Sequence, residues 1–349
     1  MEKKILASRG KNRICALTLG LSLLLAVSWS QGQVTPTTPA PTTPTSATLD
    51  QAHRPKAKLE QTSDLQLPDS QGAASHALSA RGLFTSGIEG PCVDTSGALY
   101  AVNFKSSGTI GRMDPGEAPF LWVTLPAGQV ASALRMLNPQ EMLVVERKQH
   151  QLLKIDIKTK SVSCLAQNKT MNQPNDMSIS RDGTVFMSDP SWSSKKQGGL
   201  WCWDKLKGLR LLAQDLKAIN GIGLSPDEKT IYFTESIQGG LWAFDWDGSK
   251  LSHKRLIRQF EADSVDGIRL NTQGEIFVAR IRMGKIDRIS ATGSLISSTK
   301  TVGKDPTNLA FGGNDGKTIF VTQRDGRFIE SFQTDLPGLE WQILQASIH

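Results

Sequence analysis

Asn175 to Pro190 reads NDMSISRDGTVFMSDP: a short apolar strand, a turn at Arg181-Asp182-Gly183, and a second strand through Val185 and Met187, with polar residues at both open ends. The pattern recurs in shifted copies. NGIGLSPDEKTIYFTE from Asn220, DGIRLNTQGEIFVAR from Asp266 and EGPCVDTSGALYAVN from Glu89 break at the same place. ASALRMLNPQEMLVVE from Ala131 and TNLAFGGNDGKTIFVT from Thr307 are weaker copies. Anchored on the first apolar residue of the second strand (Leu99, Met142, Val185, Ile231, Ile276 and Ile319), the steps are 43, 43, 46, 45 and 43 residues. Six units of that length, with strand periodicity and no helical period, predict an all-β, six-bladed β-propeller of radially repeated four-stranded sheets. GLWCWD from Gly199 and LRLLAQ from Leu209 supply the outer strands of the third unit, and GLWAFDWD from Gly240 and LSHKRLI from Leu251 those of the fourth. RFIESFQ from Arg327 and EWQIL from Glu340 are expected to be strands of the last unit.

The remainder of the chain fits around this repeat. An apolar fraction of 38% over 349 residues suffices for a packed core. The net charge of +7 is concentrated in residues 1–30, where Lys3, Lys4, Arg9, Lys11 and Arg13 stand against Glu2. Only +3 remains for the rest, with no dense basic tract, so no nucleic-acid partner is expected. The basic stretch is followed by an apolar run from Ile14 to Val27 and small residues at Ser28 and Ser30, the order of a secretory signal peptide cut after Ser30. The run is short for a spanning helix, so a secreted or periplasmic protein is expected, an uncleaved N-terminal anchor being the rival reading. Residues 31–48, QGQVTPTTPAPTTPTSAT, read as an extended Pro/Thr-rich linker, 49–80 as a poorly defined lead-in and 81–349 as the propeller domain. Cys92, Cys164 and Cys202 are odd in number, lack zinc-site spacing and sit among alternating apolar residues, which predicts buried free thiols.

If the first strand of each unit runs innermost from top to bottom, the start of that strand and the loop between strands two and three share the top face. Turns such as Arg181-Asp182-Gly183 then lie underneath. The residues at the start of the inner strand are Glu89, Ala131, Asn175, Asn220, Asp266 and Thr307, a ring around the central channel. Asn-Gly and Asp-Gly are common turn dipeptides when taken singly. Turn chemistry does not explain why oxygen-bearing carboxylates and carboxamides recur at one ring position. Two carboxylates and two amide oxygens, without His or Cys, make a hard-oxygen central metal site, with Ca2+ preferred for its irregular coordination and Zn2+, Mg2+ or Mn2+ as alternatives.

EGPCVD at Glu89, QPNDMSISRDGTVFMSDP at Gln173, NGIGLSPDEKTIYFTES at Asn220, VDGIRLNTQGEIFVAR at Val265 and PTNLAFGGNDGKTIFVT at Pro306 resemble the gluconolactonase, regucalcin and luciferin-regenerating-enzyme family. The resemblance covers about residues 81–341, with the motifs in order. It implies a six-bladed propeller holding one divalent metal and, in many members, hydrolysis of sugar lactones. It further implies Glu89, Asn220 and Asp266 as metal ligands, Asn175 as a further ligand or a contact to water and substrate, and Asp266 as the catalytic base that activates water. Direct nucleophilic attack by Asp266 is the alternative. Regucalcin-like members carry Arg where this chain has Gln173, which puts the sugar preference in question, and the Pro-Asn-Asp form looks closer to bacterial gluconolactonases.

Topology nominates further top-face residues: Asn103, Lys105, Glu146, Arg147, Asp189, Glu235, Arg282 and Gln323. Arg280 and Arg324 are candidate contacts to substrate oxygens and Trp192 a candidate lid or stacking wall. Trp201, Trp203, Trp242 and Trp246 are expected to pack between blades, and no catalytic His is visible. The resulting expectation is a metal-dependent hydrolase acting on a small-molecule lactone or ester. The alternatives are an esterase or phosphotriesterase on the same site, or a non-catalytic calcium-stabilised propeller that binds a partner or glycan.

Overall fold

Residues 74–193 and 197–348 are described by a computed structural model. The expected signal peptide, the Pro/Thr-rich linker and the lead-in up to residue 73 lie outside the described residues. Among the described residues, no helix is long and apolar enough to cross a membrane.

The strands form six four-stranded antiparallel sheets, one per repeat. The first strand, β1 (His76–Ala77), is two residues long. Blade 1 is β2 (Phe84–Val93), β3 (Leu99–Phe104), β4 (Thr109–Met113) and β5 (Phe120–Thr124). Blade 2 is β6 (Ala131–Asn138), β7 (Glu141–Glu146), β8 (Gln151–Asp156) and β9 (Val162–Gln167). Blade 3 is β10 (Met177–Ile179), β11 (Val185–Asp189), β12 (Gly198–Asp204) and β13 (Gly208–Leu216). Blade 4 is β14 (Ile219–Leu224), β15 (Thr230–Glu235), β16 (Gly240–Trp246) and β17 (Leu251–Gln259). Blade 5 is β18 (Ile268–Leu270), β19 (Ile276–Arg280), β20 (Lys285–Ile289) and β21 (Leu295–Lys300). Blade 6 is β22 (Pro306–Gly312), β23 (Thr318–Gln323) and β24 (Phe328–Gln333), completed by β1.

The hairpin that predicts the fold pairs as expected, Met177 opposite Met187 and Ile179 opposite Val185. Its turn closes through Gly183, whose φ of 84° suits a residue without a side chain. Apolar clusters fill the wedges between neighbouring blades. Trp201 and Trp203 pack with Ala133, Leu143 and Val145 between blades 2 and 3. The rings of Phe186 and Trp246 meet edge to face at 5.1 Å between blades 3 and 4.

Two expectations are corrected. EWQIL is not a strand: it lies in α1 (Leu339–Ala346). The outer edge of blade 6 is already taken by β1, with His76 opposite Ser331 and Ala77 opposite Glu330, so the last segment is left to helix-forming residues after Pro337-Gly338. The propeller therefore begins before Arg81, and a strand from the N-terminal side closes the ring on β24. Cys164 is exposed on β9, the outermost strand of its blade, whereas Cys92 and Cys202 are buried free thiols.

Closure is completed by Leu78 N–H to the Ile329 carbonyl (2.8 Å) and Ser75 Oγ to Glu330 (2.8 Å). A chain beginning at Arg81 is expected to lose these bonds and expose the β24 edge. That costs about 2 kcal/mol of stability at roughly 1 kcal/mol per hydrogen bond, read as a lower denaturant midpoint, and the unpaired edge promotes self-association in sizing chromatography.

Candidate functional site: the upper end of the central channel

Inner strands converge on the axis, and only residues without side chains let them approach this closely. A Cβ on Gly221 would fall 2.6 Å from the backbone oxygen of Asp266 and nitrogen of Ile268, and one on Gly267 would fall 2.3 Å from Asn308 Cγ. These glycines follow Asn220 and Asp266 directly, so the Asn-Gly and Asp-Gly pairs serve strand packing instead of turns. Each ring residue is tied to the end of the second strand of its own blade. Asn175 N–H donates to Ser188 O (2.8 Å) and Asp266 N–H to Ala279 O (3.0 Å), while Glu89 pairs with Val102 and Ala131 with Glu146.

Glu89 lies close enough to raise the proton affinity of Asp266, Asn220 bonds Asp266, and Asn175 occupies the equivalent repeat position of blade 3. Asn220 Nδ2 donates to Asp266 Oδ1 (2.6 Å) and to Ser236 Oγ (3.0 Å). Glu89 Oε2 accepts from Gly90 N–H (2.8 Å) and Asn308 Nδ2 (3.0 Å). The Oδ1 atoms of Asn175 and Asn220 are buried without a donor. Burial pushes the Glu89 carboxyl up to about 7, and the negative charge of Asp176 adds to the effect. Asp266 is held well above the usual carboxylate range by burial and then by Glu89, with the Arg324 guanidinium opposing. No three His, Cys, Asp or Glu side chains gather in a ligand cluster among the described residues. The donor set is instead two acids and two orphaned amide oxygens, which matches the all-oxygen preference of a hard divalent cation.

Sequence reasoning missed what lies below the ring. Asp176, fully buried, accepts from Arg135 Nη2 (2.8 Å), Arg269 Nη1 (3.0 Å) and Asn308 Nδ2 (3.3 Å). Arg135 Nε lies 3.2 Å and Arg269 Nε 3.6 Å from Glu340 of α1, which packs on the underside turns through Gly338 N–H to Gly316 O and Thr272 N–H to Pro337 O. Asn308 thereby joins Glu89 to an acid–base stack that closes the lower channel. The available signal was a charge inside an apolar inner strand, as at Arg135 and Arg269. A cavity of about 130 Å³ lies beneath, between α1 and those turns, lined by Leu137, Ile179, Leu270, Phe311 and Trp341. Its guanidiniums are already paired, so the chemistry belongs to the ring.

The polar residues at the ends of the second strands prove to be loop staples. Glu146 accepts from the backbone of Val130, Lys148 and Gln149, Asp189 from that of Asn172 and Gln173, and Glu235 from that of Lys217. Arg280, a candidate substrate contact, is buried and spends its guanidinium on Asp287, Glu261 and Ser264, over the Phe260 ring. It is not available to a ligand. Arg324 remains 40% exposed beside Asp305 and close enough to act on Asp266, and Trp192 is exposed at the rim.

The raised Glu89 group sets a pH dependence. The native state binds its proton more tightly than the unfolded chain, whose value is 4.5, so its contribution to stability is full below that value and lost as pH rises through about 7. Chelator-treated protein is expected to melt at progressively lower temperature from about pH 5 to about pH 8 by calorimetry. Asp176→Asn, which leaves two buried guanidiniums with Glu340 as their remaining counter-charge, is expected to cost about 3–5 kcal/mol in denaturant unfolding.

The sequence matches the family described as SMP-30/Gluconolactonase/LRE-like region over residues 87–324. Gluconolactonase of Zymomonas mobilis is 26% identical over 229 residues, 57% of this chain and 63% of that protein. Regucalcin of Sus scrofa is 27% identical over 177 residues, 47% and 59% of the two chains. This chain thus spans about three-fifths of the length of such relatives. A solved calcium-binding protein, regucalcin from Agrobacterium tumefaciens, superposes with a TM-score of 0.65 at 21% identity over 73% of this chain and 92% of that one, a likeness of fold. With the family match covering more than half of its length and a six-bladed propeller carrying the ring, the chain belongs to the SMP-30/gluconolactonase/LRE-like family.

Proposed function

We propose that the protein is an exported hydrolase that opens a lactone ring with the help of a divalent cation, calcium first among the candidates. The observation that carries this reading is the closeness of Asp266 to Glu89 and Asn220, with a donorless amide oxygen on Asn220 and another on Asn175 at the equivalent position of blade 3. These four residues would hold the ion. A divalent cation there polarises an ester carbonyl and compensates charge developing on its oxygen. The irregular mix of carboxylate and carboxamide oxygens suits calcium better than magnesium, which demands near-ideal octahedra.

The chain's own groups supply the rest. Asp266 accepts the proton of the attacking water at Oδ2, because Asn220 Nδ2 holds Oδ1. Ser236 fixes the Asn220 carboxamide from behind, and Gly90 N–H with Asn308 fixes Glu89. Arg324 favours the ionised form of Asp266 and, 40% exposed, would meet a substrate oxygen. Family membership supports lactone hydrolysis, with relatives named gluconolactonase and, in Pseudomonas putida, 6-deoxy-6-sulfogluconolactonase at 26% identity over 64% of this chain. The basic-apolar-small order of residues 1–30 supports export.

Purified protein is expected to hydrolyse lactones, to lose that activity on chelation and to regain it with calcium. Added calcium should also abolish the loss of melting temperature at high pH. Asp266→Asn is expected to lower kcat by about 10²–10⁴ while the metal-free protein melts no lower than wild type, since one of two mutually repelling acids is gone. Full activity in chelator, or no turnover of any lactone by calcium-loaded protein, overturns the reading.

A further inference from the structure

The loop after the second strand of each blade rises beside the channel mouth, because that strand ends next to the ring position. On blades 3, 4 and 5 this loop carries an exposed apolar side chain: Trp192 (49% exposed), Ile237 (42%) and Met283 (43%). Val302, 46% exposed, sits in the loop leading into blade 6. The loops that carry the last three are joined to one another by hydrogen bonds and an ion pair. Asp263 N–H donates to Ile237 O (3.3 Å), the Asp263 carboxylate pairs with Arg282 beside Met283 (3.5 Å), and Gly284 bonds Thr301 (2.9 Å) and Lys304 (3.1 Å) on either side of Val302. The matching loops of blades 6, 1 and 2 carry Arg324-Asp325, Lys105-Ser106 and Arg147-Lys148. Apolar residues scattered singly over a surface need no explanation. An arc on consecutive blades beside one mouth, facing a charged arc on the others, divides the rim into two chemistries.

Beneath the apolar arc, the polar groups are occupied. Asp189 accepts from the backbone N–H groups of Asn172 and Gln173, and Trp201 Nε1 adds a third donor. Glu235 is taken by Lys217 N–H and Lys254, and Arg280 by Asp287, Glu261 and Ser264. Apart from the exposed Arg282–Asp263 pair beside Met283, a hydroxyl lying over blades 3 to 5 would lose water and find few free partners, whereas a hydrocarbon there gains from the same exclusion.

We propose that the channel takes a lactone bearing an alkyl or aryl substituent, which lies against Trp192, Ile237, Met283 and Val302 while the ring carbonyl enters toward Asp266. This rests on the hydrolase reading and names its substrate class. One water is consumed: its oxygen bonds to the acyl carbon, the acyl carbon–oxygen bond of the ring breaks, and the leaving oxygen takes a proton, giving a hydroxy acid with the substituent unchanged.

The test is kcat/KM of calcium-loaded protein on γ-butyrolactones with unbranched alkyl chains of increasing length, against gluconolactone. The expected result is a rise of about two- to fourfold per added methylene over the first few carbons, to values above that for gluconolactone. In the variant combining Trp192→Ser, Ile237→Ser and Met283→Ser, with an unchanged melting profile, the ratio between long- and short-chain substrates should collapse toward one. Gluconolactone turned over faster than every alkyl lactone, or a variant that keeps the chain-length dependence, overturns the inference and leaves the hydrolase reading standing. Absence of turnover on every lactone removes both.

Discussion

Like charges buried around one axis are the constraint on which this structure depends. Six inner strands converge, and the residues at their upper ends place Glu89 and Asp266 where neither is well solvated; Glu89 raises the proton affinity of Asp266, and Asp176 that of Glu89. Left alone, such a pair gives up a charge by holding a proton. The surrounding architecture keeps it in place. Gly221 and Gly267 let the strands close in, Asn220 and Asn308 donate to the two acids, and the ion pairs of Asp176 with Arg135 and Arg269 balance the layer below. The C-terminal helix enters the same balance through Glu340, which explains why a chain already closed by β1 carries a further helix under the ring.

The top face shows a division of labour. Polar residues that end the second strands hold the loops in shape, so their charges are turned into the protein. Two other sets are left open: the ring, where the Asn175 and Asn220 amide oxygens lack donors, and the loop tips, whose exposed side chains differ from blade to blade. The same six-fold repetition that builds an even scaffold thus carries an uneven rim.

Much of this was legible along the chain. The hairpin at Asn175, copied at intervals close to 43 residues, specifies blades because strand period and repeat length are local properties. The ring residues could be found by phase, since a repeat places equivalent positions at equivalent radii. Arg280 could not be separated from Arg324 in this way: both end near a second strand, and only the packing of Phe260, Glu261 and Asp287 around the first shows that it is occupied. The Asp176 stack escaped for a related reason, its partners being 41 and 93 residues away.

The sequence by itself determined the number of blades and the underside position of turns such as Arg181-Asp182-Gly183, because both follow from a repeated local pattern. The tertiary structure alone decided how the ring closes, why EWQIL is helical, and which polar side chains remain open to a ligand. Those outcomes depend on which distant group reaches an edge or a charge first. Pairing of His76 with Ser331, or of Arg135 with Glu340, is a competition in space that no local pattern records.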